Sequence, residues 1–217
     1  MLYATLLVGE EYCTAYSEQV NNESLRGELH VLTDSPKLFP TCRTYSYFEE
    51  EFSYFDKLIF LTKLVIEYKQ RITFVDADWC RNLNFQKNLD SDSVYCWKLF
   101  TDEDLEEVGI LRNGVDYCLD TLKELKLNNN NFQYPGEAIL SMPYNDYSDQ
   151  ILSMLEDIKP KWEKAFHRDI DLNRKLKRYA SYGVGYCEGA ALKGVLDFFN
   201  VKVEELAREN FEIKRFI

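Results

Sequence analysis

Arg71-Ile72-Thr73-Phe74-Val75-Asp76-Ala77-Asp78-Trp79 is the stretch whose reading decides the fold. Four residues suited to a strand, Ile72 to Val75, run directly into two acids one residue apart, which predicts a buried strand ending in a carboxylate pair. If the backbone stays extended through the pair, the two-residue period puts Asp76 and Asp78 on one face and Ala77 on the other. Hard oxygen donors at the mouth of a parallel strand suit Mg²⁺ or Mn²⁺, which bind through a few carboxylates plus substrate phosphates. The ligand this implies is a metal-bound phosphate ester. The competing reading is that the two acids only end the strand as turn and cap residues, a role Asp fills readily.

Working outward, residues 52–69 place their core-facing positions at 55, 58, 59, 62, 65 and 66, the spacing of a helix with one wide buried face. Leu2 to Val8 is a continuous strand-like run, followed by Gly9, two Glu and a helix start at Tyr12. Strand, loop and helix in that order open an α/β fold. Glu28 to Thr33 reads as a second strand ending at Asp34-Ser35-Pro36, and Thr41 to Phe48 as a third, shorter one. Ligands of doubly wound sheets bind outside such strand ends, so Asp34 is a candidate to hydrogen-bond a ribose or base, and equally a turn starter. His30, mid-strand among apolar residues, reads as an interior or edge histidine and not as a ligand.

Downstream, Val94 to Phe100 reads as one strand, and Thr101-Asp102-Glu103-Asp104 as the capping signature of a helical pattern running through Leu122 and Leu125. Glu137 to Met142 is a short strand, 147–178 a long helix, and Val201 to Ile217 a short amphipathic helix. The expected class is α/β, with a mostly parallel central sheet flanked by helices. No linker or shift in composition divides residues 1–217, so one domain is expected.

At 217 residues, 46% of them hydrophobic and 15% aromatic, the chain can bury a real core, and a packed globule is expected. A net charge of −11 repels polyanions, which argues against nucleic acid as a partner. Six cysteines with no Cys-x-x-Cys, and only two His, make structural zinc improbable. The N-terminal apolar run is short and lacks a basic region, so reduced thiols and a cytoplasmic location are expected. No run approaches eighteen apolar residues, so no membrane span is expected.

Helix, then strand, then Asp-x-Asp resembles the DxD region of the GT-A glycosyltransferases, where a helix bearing a Lys precedes a strand ending in the two acids. The resemblance extends to the N-terminal strand and loop and to a Gly-rich segment near the end. It implies a single GT-A-like domain, with a nucleotide-binding half over about 1–100 and an acceptor-side half over about 101–217. It further implies a metal-dependent enzyme that moves a sugar from a nucleoside diphosphate sugar to an acceptor the sequence does not name. Asp76 and Asp78 would hold Mn²⁺ or Mg²⁺ on the diphosphate. Thr5, Tyr12, Asp34, Lys57 and Asp76 would contact the nucleotide sugar, with Tyr12 placed to stack on the base or, alternatively, simply to pack. Some metal-dependent members take a late His as third ligand, which points to His167. This chain lacks the Gly and Lys that usually follow such a His.

Tyr179 to Leu192 carries Gly183, Gly185 and Gly189 at a spacing that is not the dinucleotide fingerprint. Glu188, at the end of this turn, is the candidate catalytic base or sugar-hydroxyl contact, its alternative being a helix N-cap neighbour favoured by the dipole. Between Lys159 and Arg178 stand eight Lys or Arg against three acids, a local net of +5 on a chain of −11. Such a stretch faces a diphosphate, an anionic membrane surface in peripheral contact, or only water. Two further classes remain open: a non-catalytic interaction module with exposed aromatics, and a nucleotidyltransferase. The latter usually opens with a basic Gly-rich loop, whereas Gly9-Glu10-Glu11 is acidic.

Overall fold

The structure is a computed structural model that describes residues 2–24, 28–48, 53, 55–77, 89, 91–101, 104, 120–127, 133–136, 138–175 and 188–206, with backbone alone over 165–175. It is an α/β fold around a seven-stranded sheet. The strands are β1 (Leu2–Leu7), β2 (Glu28–Thr33), β3 (Arg43–Ser46), β4 (Ile72–Val75), β5 (Val94–Cys96), β8 (Ile139–Met142) and β9 (Val203–Glu205). They lie in the order β3-β2-β1-β4-β8-β5-β9, and β8 alone of the seven runs antiparallel to its neighbours. Two further strands, β6 (Leu99–Thr101) and β7 (Gln133–Pro135), form a separate antiparallel ribbon. Among the described residues, helices run over α1 (Glu10–Ser24), α2 (Asp56–Tyr68), α3 (Ser148–Lys175) and α4 (Glu188–Phe198), with a 3-10 turn at Pro36–Leu38 and a further helical stretch at 120–124. Among the described residues no helix is long and apolar enough to cross a membrane.

Both faces of the sheet are covered, and β1 displays why its sequence is a continuous apolar run. Leu2, Ala4 and Leu6 enter a core shared with α2, α3 and α4, while Tyr3 and Leu7 enter a second core shared with Cys13 and Val20 of α1. Alternation along a strand buried on both faces leaves no position for a polar surface residue. On α2 the buried residues include Phe55 just before it, then Leu58, Phe60, Leu61, Thr62, Leu64 and Val65, with Ile59 and Ile66 only half-buried. The buried face is therefore centred nearer Leu61 than the spacing of residues 55–66 suggested.

Four expectations change. The strand expected over Val94 to Phe100 breaks at Trp97 and Lys98 into β5 and β6. Its break is set by a close approach: Gly136 N–H donates to Lys98 O at 2.8 Å, and a Cβ built on Gly136 would stand 2.2 Å from Trp97 Nε1. The segment from Val201 is not helical where it begins. Val203–Glu205 pairs with Val94–Cys96 as an edge strand, and 207–217 lie outside the described residues. Pairing to β5 overrides the helical pattern, because backbone groups of β5 such as Val94 N–H and Cys96 O, which bond to Lys202 O and Leu206 N–H, would otherwise lose those partners. Third, β4 ends at Val75, and Ala77 already lies in a 3-10 turn, so the two-residue period does not carry through the acid pair. Ala77 is fully buried in the core on the α1 side, where its carbonyl accepts a hydrogen bond from Gln19 Nε2 at 2.8 Å. Fourth, the third strand is confined to Arg43–Ser46.

The capping signature forms as expected. Asp104 Oδ2 accepts from Thr101 N–H at 2.9 Å while Asp104 N–H donates to Thr101 Oγ1 at 3.3 Å, a reciprocal pair that satisfies two orphan donors. The Lys98 ammonium, with these bonds, holds the Asp104 carboxyl down at about 2. Residues 120–124 are helical, and 105–119 lie outside the described residues. At the amino end of β4, Arg71 donates to Ser141 O at 3.2 Å and to Ser93 O at 2.8 Å, joining the chain before β4 to β8 and to the approach to β5.

Candidate functional site

From β1 the chain steps outward to β2 and β3, then returns through α2 to β4 on the other side of β1. The side of the sheet to which the chain adds strands reverses at the β1–β4 boundary. In open α/β sheets the crevice outside the carboxyl ends at such a reversal is the usual ligand position, because the flanking loops leave in opposite directions there. Leu7 is paired with Thr33, so β1 and β2 end level, while Ala4 is paired with Phe74, which puts Val75 beside Thr5 and ends β4 two residues short of them. The groups delivered to this rim are Val8 and Gly9, Asp34, and Asp76.

Gly9 has φ +95°, a left-handed conformation that a side chain would resist, and it turns β1 straight into α1. Its N–H donates to Asp34 Oδ2 at 2.9 Å. Asp34 Oδ1 accepts from Ser35 Oγ at 3.1 Å and lies 3.5 Å from Cys13 Sγ. Cys13 Sγ also reaches Leu7 O at 3.3 Å, and burial above all pushes its thiol up, so it stays protonated. The end of β2 is thus stitched to the β1–α1 turn by one carboxylate. With Asp34 on the Gly9 amide, and Glu10 and Glu11 opening α1, this helix start is acidic and not a phosphate cradle.

Asp76, next after β4, is half-buried, and its N–H donates to Ala138 O at 2.8 Å, which extends the β4–β8 pairing by one residue. Its companion Asp78 lies outside the described residues. Thr5 is fully buried two residues before the end of β1 and level with the end of β4, and its hydroxyl has no hydrogen-bond partner among the described residues, so it sits below the mouth of β1 and not on it. Tyr12, in the first turn of α1, is 39% exposed, with its ring 4.7 Å from that of Tyr16. Lys57 is buried in the first turn of α2. Glu188 is half-buried at the start of α4. His167 lies on α3 at a position whose side chain is outside the described set, as are 179–187. Among the described residues there is no group of three or more His, Cys, Asp or Glu that could hold a metal.

A polar cluster of long sequence separation lies beyond any local pattern. Asp56, the first residue of α2, receives Tyr47 Oη on Oδ2 at 2.7 Å and Lys159 Nζ on Oδ1 at 2.5 Å. Lys159 is 17% exposed and Asp56 10%. The first cation of the basic stretch therefore points inward and joins α3 to α2, while Lys161 and Lys164 are exposed. The pair is 103 residues apart, and neither residue stands in a motif. His30 is an interior histidine: Nδ1 lies 3.1 Å from Tyr45 Oη, Nε2 lies 3.5 Å from Glu28 Oε1, and the ring meets Tyr68 edge-on. Cys13, Cys42 and Cys96 are free thiols.

Together these features define an α/β protein with a mostly parallel sheet and a polar rim at the switch between β1 and β4. No protein-family model and no curated protein matches the chain. Among solved structures it is similar to the glycosyltransferase GlyE of Streptococcus pneumoniae TIGR4, at 10% identity and a TM-score of 0.43, over 94% of this chain and 44% of that one. The chain thus spans less than half the length of that protein.

Proposed function

We propose that this chain is a metal-dependent glycosyltransferase of the GT-A type, built as one domain, that transfers a sugar from a nucleoside diphosphate sugar to an acceptor. The observation that carries the reading is the position of Asp76. It follows the strand beside β1 at the reversal of the sheet, level with Leu6 near the end of β1, and β1 alone lies between its strand and the one that delivers Asp34. A carboxylate at that rim is a hard oxygen donor of the kind Mg²⁺ and Mn²⁺ take alongside substrate phosphates, so its chemistry fits the proposed ion. Asp76 and Asp78, with His167 as third ligand, would hold the ion, which when bound supplies positive charge to the departing diphosphate.

The remaining roles belong to the chain itself. Asp34, already fixed by Gly9 and Ser35, presents acceptor oxygens to ribose or base, and Tyr12 offers an exposed ring at the edge of the same rim. Lys57 brings a cation to the start of α2, and Glu188 a carboxylate to the start of α4, where it orients or deprotonates an acceptor hydroxyl. Thr5 supports the rim from beneath.

Thermal unfolding with UDP or GDP, with and without Mn²⁺, tests the reading. A ligand bound only by the native state at a hundred times its Kd stabilises by about 2.7 kcal/mol. Nucleotide and Mn²⁺ together are expected to raise Tm more than either alone, and Asp78→Asn is expected to abolish the difference while leaving the unliganded Tm in place. Equal shifts with and without metal would remove the ion from the proposal, and no shift with any nucleoside diphosphate would sink it.

A further inference from the structure

β3 ends the sheet on the side away from β9, and among the described residues no strand pairs with its outer side. Tyr47 N–H donates to Thr33 O at 2.9 Å, so Arg43, Tyr45 and Tyr47 turn their backbone groups toward β2. Direction alternates along a strand, which points the N–H and C=O of Thr44 and Ser46 outward. Neither proline nor bulge interrupts residues 43–46. Such a row of open donors and acceptors is a template for one more strand.

The surface beside this edge says what that strand carries. α2 packs over β1, β4 and β8 and leaves a groove of about 540 Å³ between itself and β3, lined by Tyr45, Tyr47 and Phe48 on the strand side. Phe48 is 88% exposed, the largest exposure among the large hydrophobic residues described. Carboxylates outnumber cations here. Asp56, Glu67, Glu156 and the neighbouring Glu163 share three described cations, Lys63, Lys159 and Arg43, with Lys159 divided between Asp56 at 2.5 Å and Glu163 at 3.8 Å. Glu49, Glu50 and Glu51 follow Phe48 directly in the sequence and add to the excess. The wall already receives one guanidinium: Arg43 lies 5.9 Å from the centre of the Tyr45 ring while donating to Glu67 Oε1 at 3.3 Å. A flat, weakly hydrated and permanently charged fork takes ring face and carboxylate together in this way.

We propose that the β3 edge and its groove bind an extended basic segment of a partner protein, which joins the sheet beside β3 with Arg or Lys at alternate positions. Its backbone pairs with Thr44 and Ser46, and one alternate set of its side chains lies on Tyr45, Tyr47 and Phe48 among the surplus carboxylates. An edge of four residues makes few backbone bonds, so ring and charge contacts supply the rest of the affinity. A second copy of this chain fits less well, because pairing β3 to β3 brings two acid-rich surfaces together on chains of net charge −11. With β2 between this edge and β1, the site is independent of the glycosyltransferase reading.

Fluorescence anisotropy of labelled acetyl-Arg-Thr-Arg-Val-Arg-Thr-amide, titrated with the whole chain, tests it. Saturable binding is expected, weakening steeply from about 0.1 M to about 1 M salt as the Debye length shrinks from ~10 to ~3 Å. The peptide with Glu in place of each Arg is expected not to bind. Only alternate N–H groups of an added strand face β3, so N-methylation of the Arg amides and of the intervening amides is expected to act oppositely, one abolishing binding and the other sparing it. Ser46→Pro removes an outward donor and no bond to β2, and is expected to abolish binding with Tm unchanged. Phe48→Ala and Glu156→Lys, both at exposed positions, are each expected to weaken binding about tenfold. If Ser46→Pro does not fold, the methylated pair decides alone. No saturable binding, equal behaviour of the two methylated peptides, full binding by a folded Ser46→Pro chain, equal affinity for the acidic peptide, or a dimer of the chain that Ser46→Pro dissolves would each overturn the proposal.

Discussion

The middle of the central sheet and its far edge are held by different forces. In β1 and β4 every residue is buried, the strands are parallel, and their side chains fill two cores at once. At the far edge, β9 is Val203-Glu204-Glu205, with no residue of the strand fully buried. It is a strand because β5 is there to receive it: Val94 N–H donates to Lys202 O at 2.8 Å, and Leu206 N–H to Cys96 O at 2.7 Å. The middle is specified by side-chain burial and the edge by the need to pair backbone groups. The difference teaches where a sequence pattern can be trusted. Burial leaves a signature in residue type, and backbone pairing leaves none.

The contrast breaks most directly at Phe74, 1% exposed and among the largest fully buried side chains. Phe74→Ala is expected to cost about 3–5 kcal/mol in urea unfolding, since the cavity it leaves in a parallel strand cannot collapse. A loss below ~1 kcal/mol would mean that β4 is not the centre of the core. Next comes Asp56→Ala, which leaves Lys159 and Tyr47 without their shared acceptor in a mostly buried site. Its expected cost is about 2–3 kcal/mol. Asp56→Asn, which keeps an acceptor for Tyr47, should recover part of that. Recovery of none would show the charge pair to carry the whole effect.

A smaller effect is expected from pH. Burial above all lowers the pKa of His30, with the Arg43 charge acting in the same direction and Glu28 and Glu67 opposing. The folded state therefore holds His30 neutral where the unfolded chain, with an ordinary value near 6.5, takes up a proton. Stability contributed by neutral His30 is present above about pH 6.5 and falls as pH drops below it toward the lowered folded value. Unfolding midpoints in urea, compared on either side of that pH, should decline on the acid side, and His30→Gln should flatten the decline. An unchanged slope in the variant would assign the acid sensitivity to other groups. The smallest expected change is Val203→Ala at the sheet edge, below about 1 kcal/mol. Amide exchange at β9 should nonetheless quicken more than at β1, which would be reversed if the edge strand were held by its side chains.

What the sequence by itself determined is the order of strand, helix and strand through Val75, the burial of β1 on both faces, the cap at Thr101 and Asp104, and the arrival of Asp76 at a strand mouth. Each depends on residue type or on spacing within a few positions, where period and capping chemistry act. Only the tertiary structure decided that Ala77 leaves the strand under Gln19, that Trp97 and Gly136 split β5 from β6, that Val203 joins an edge, and that Lys159 turns inward to Asp56. Those outcomes rest on partners such as Cys96 and Tyr47 that no local window contains. A backbone or buried charge takes whatever partner the folded chain brings within hydrogen-bond reach, and sequence distance does not enter that energy.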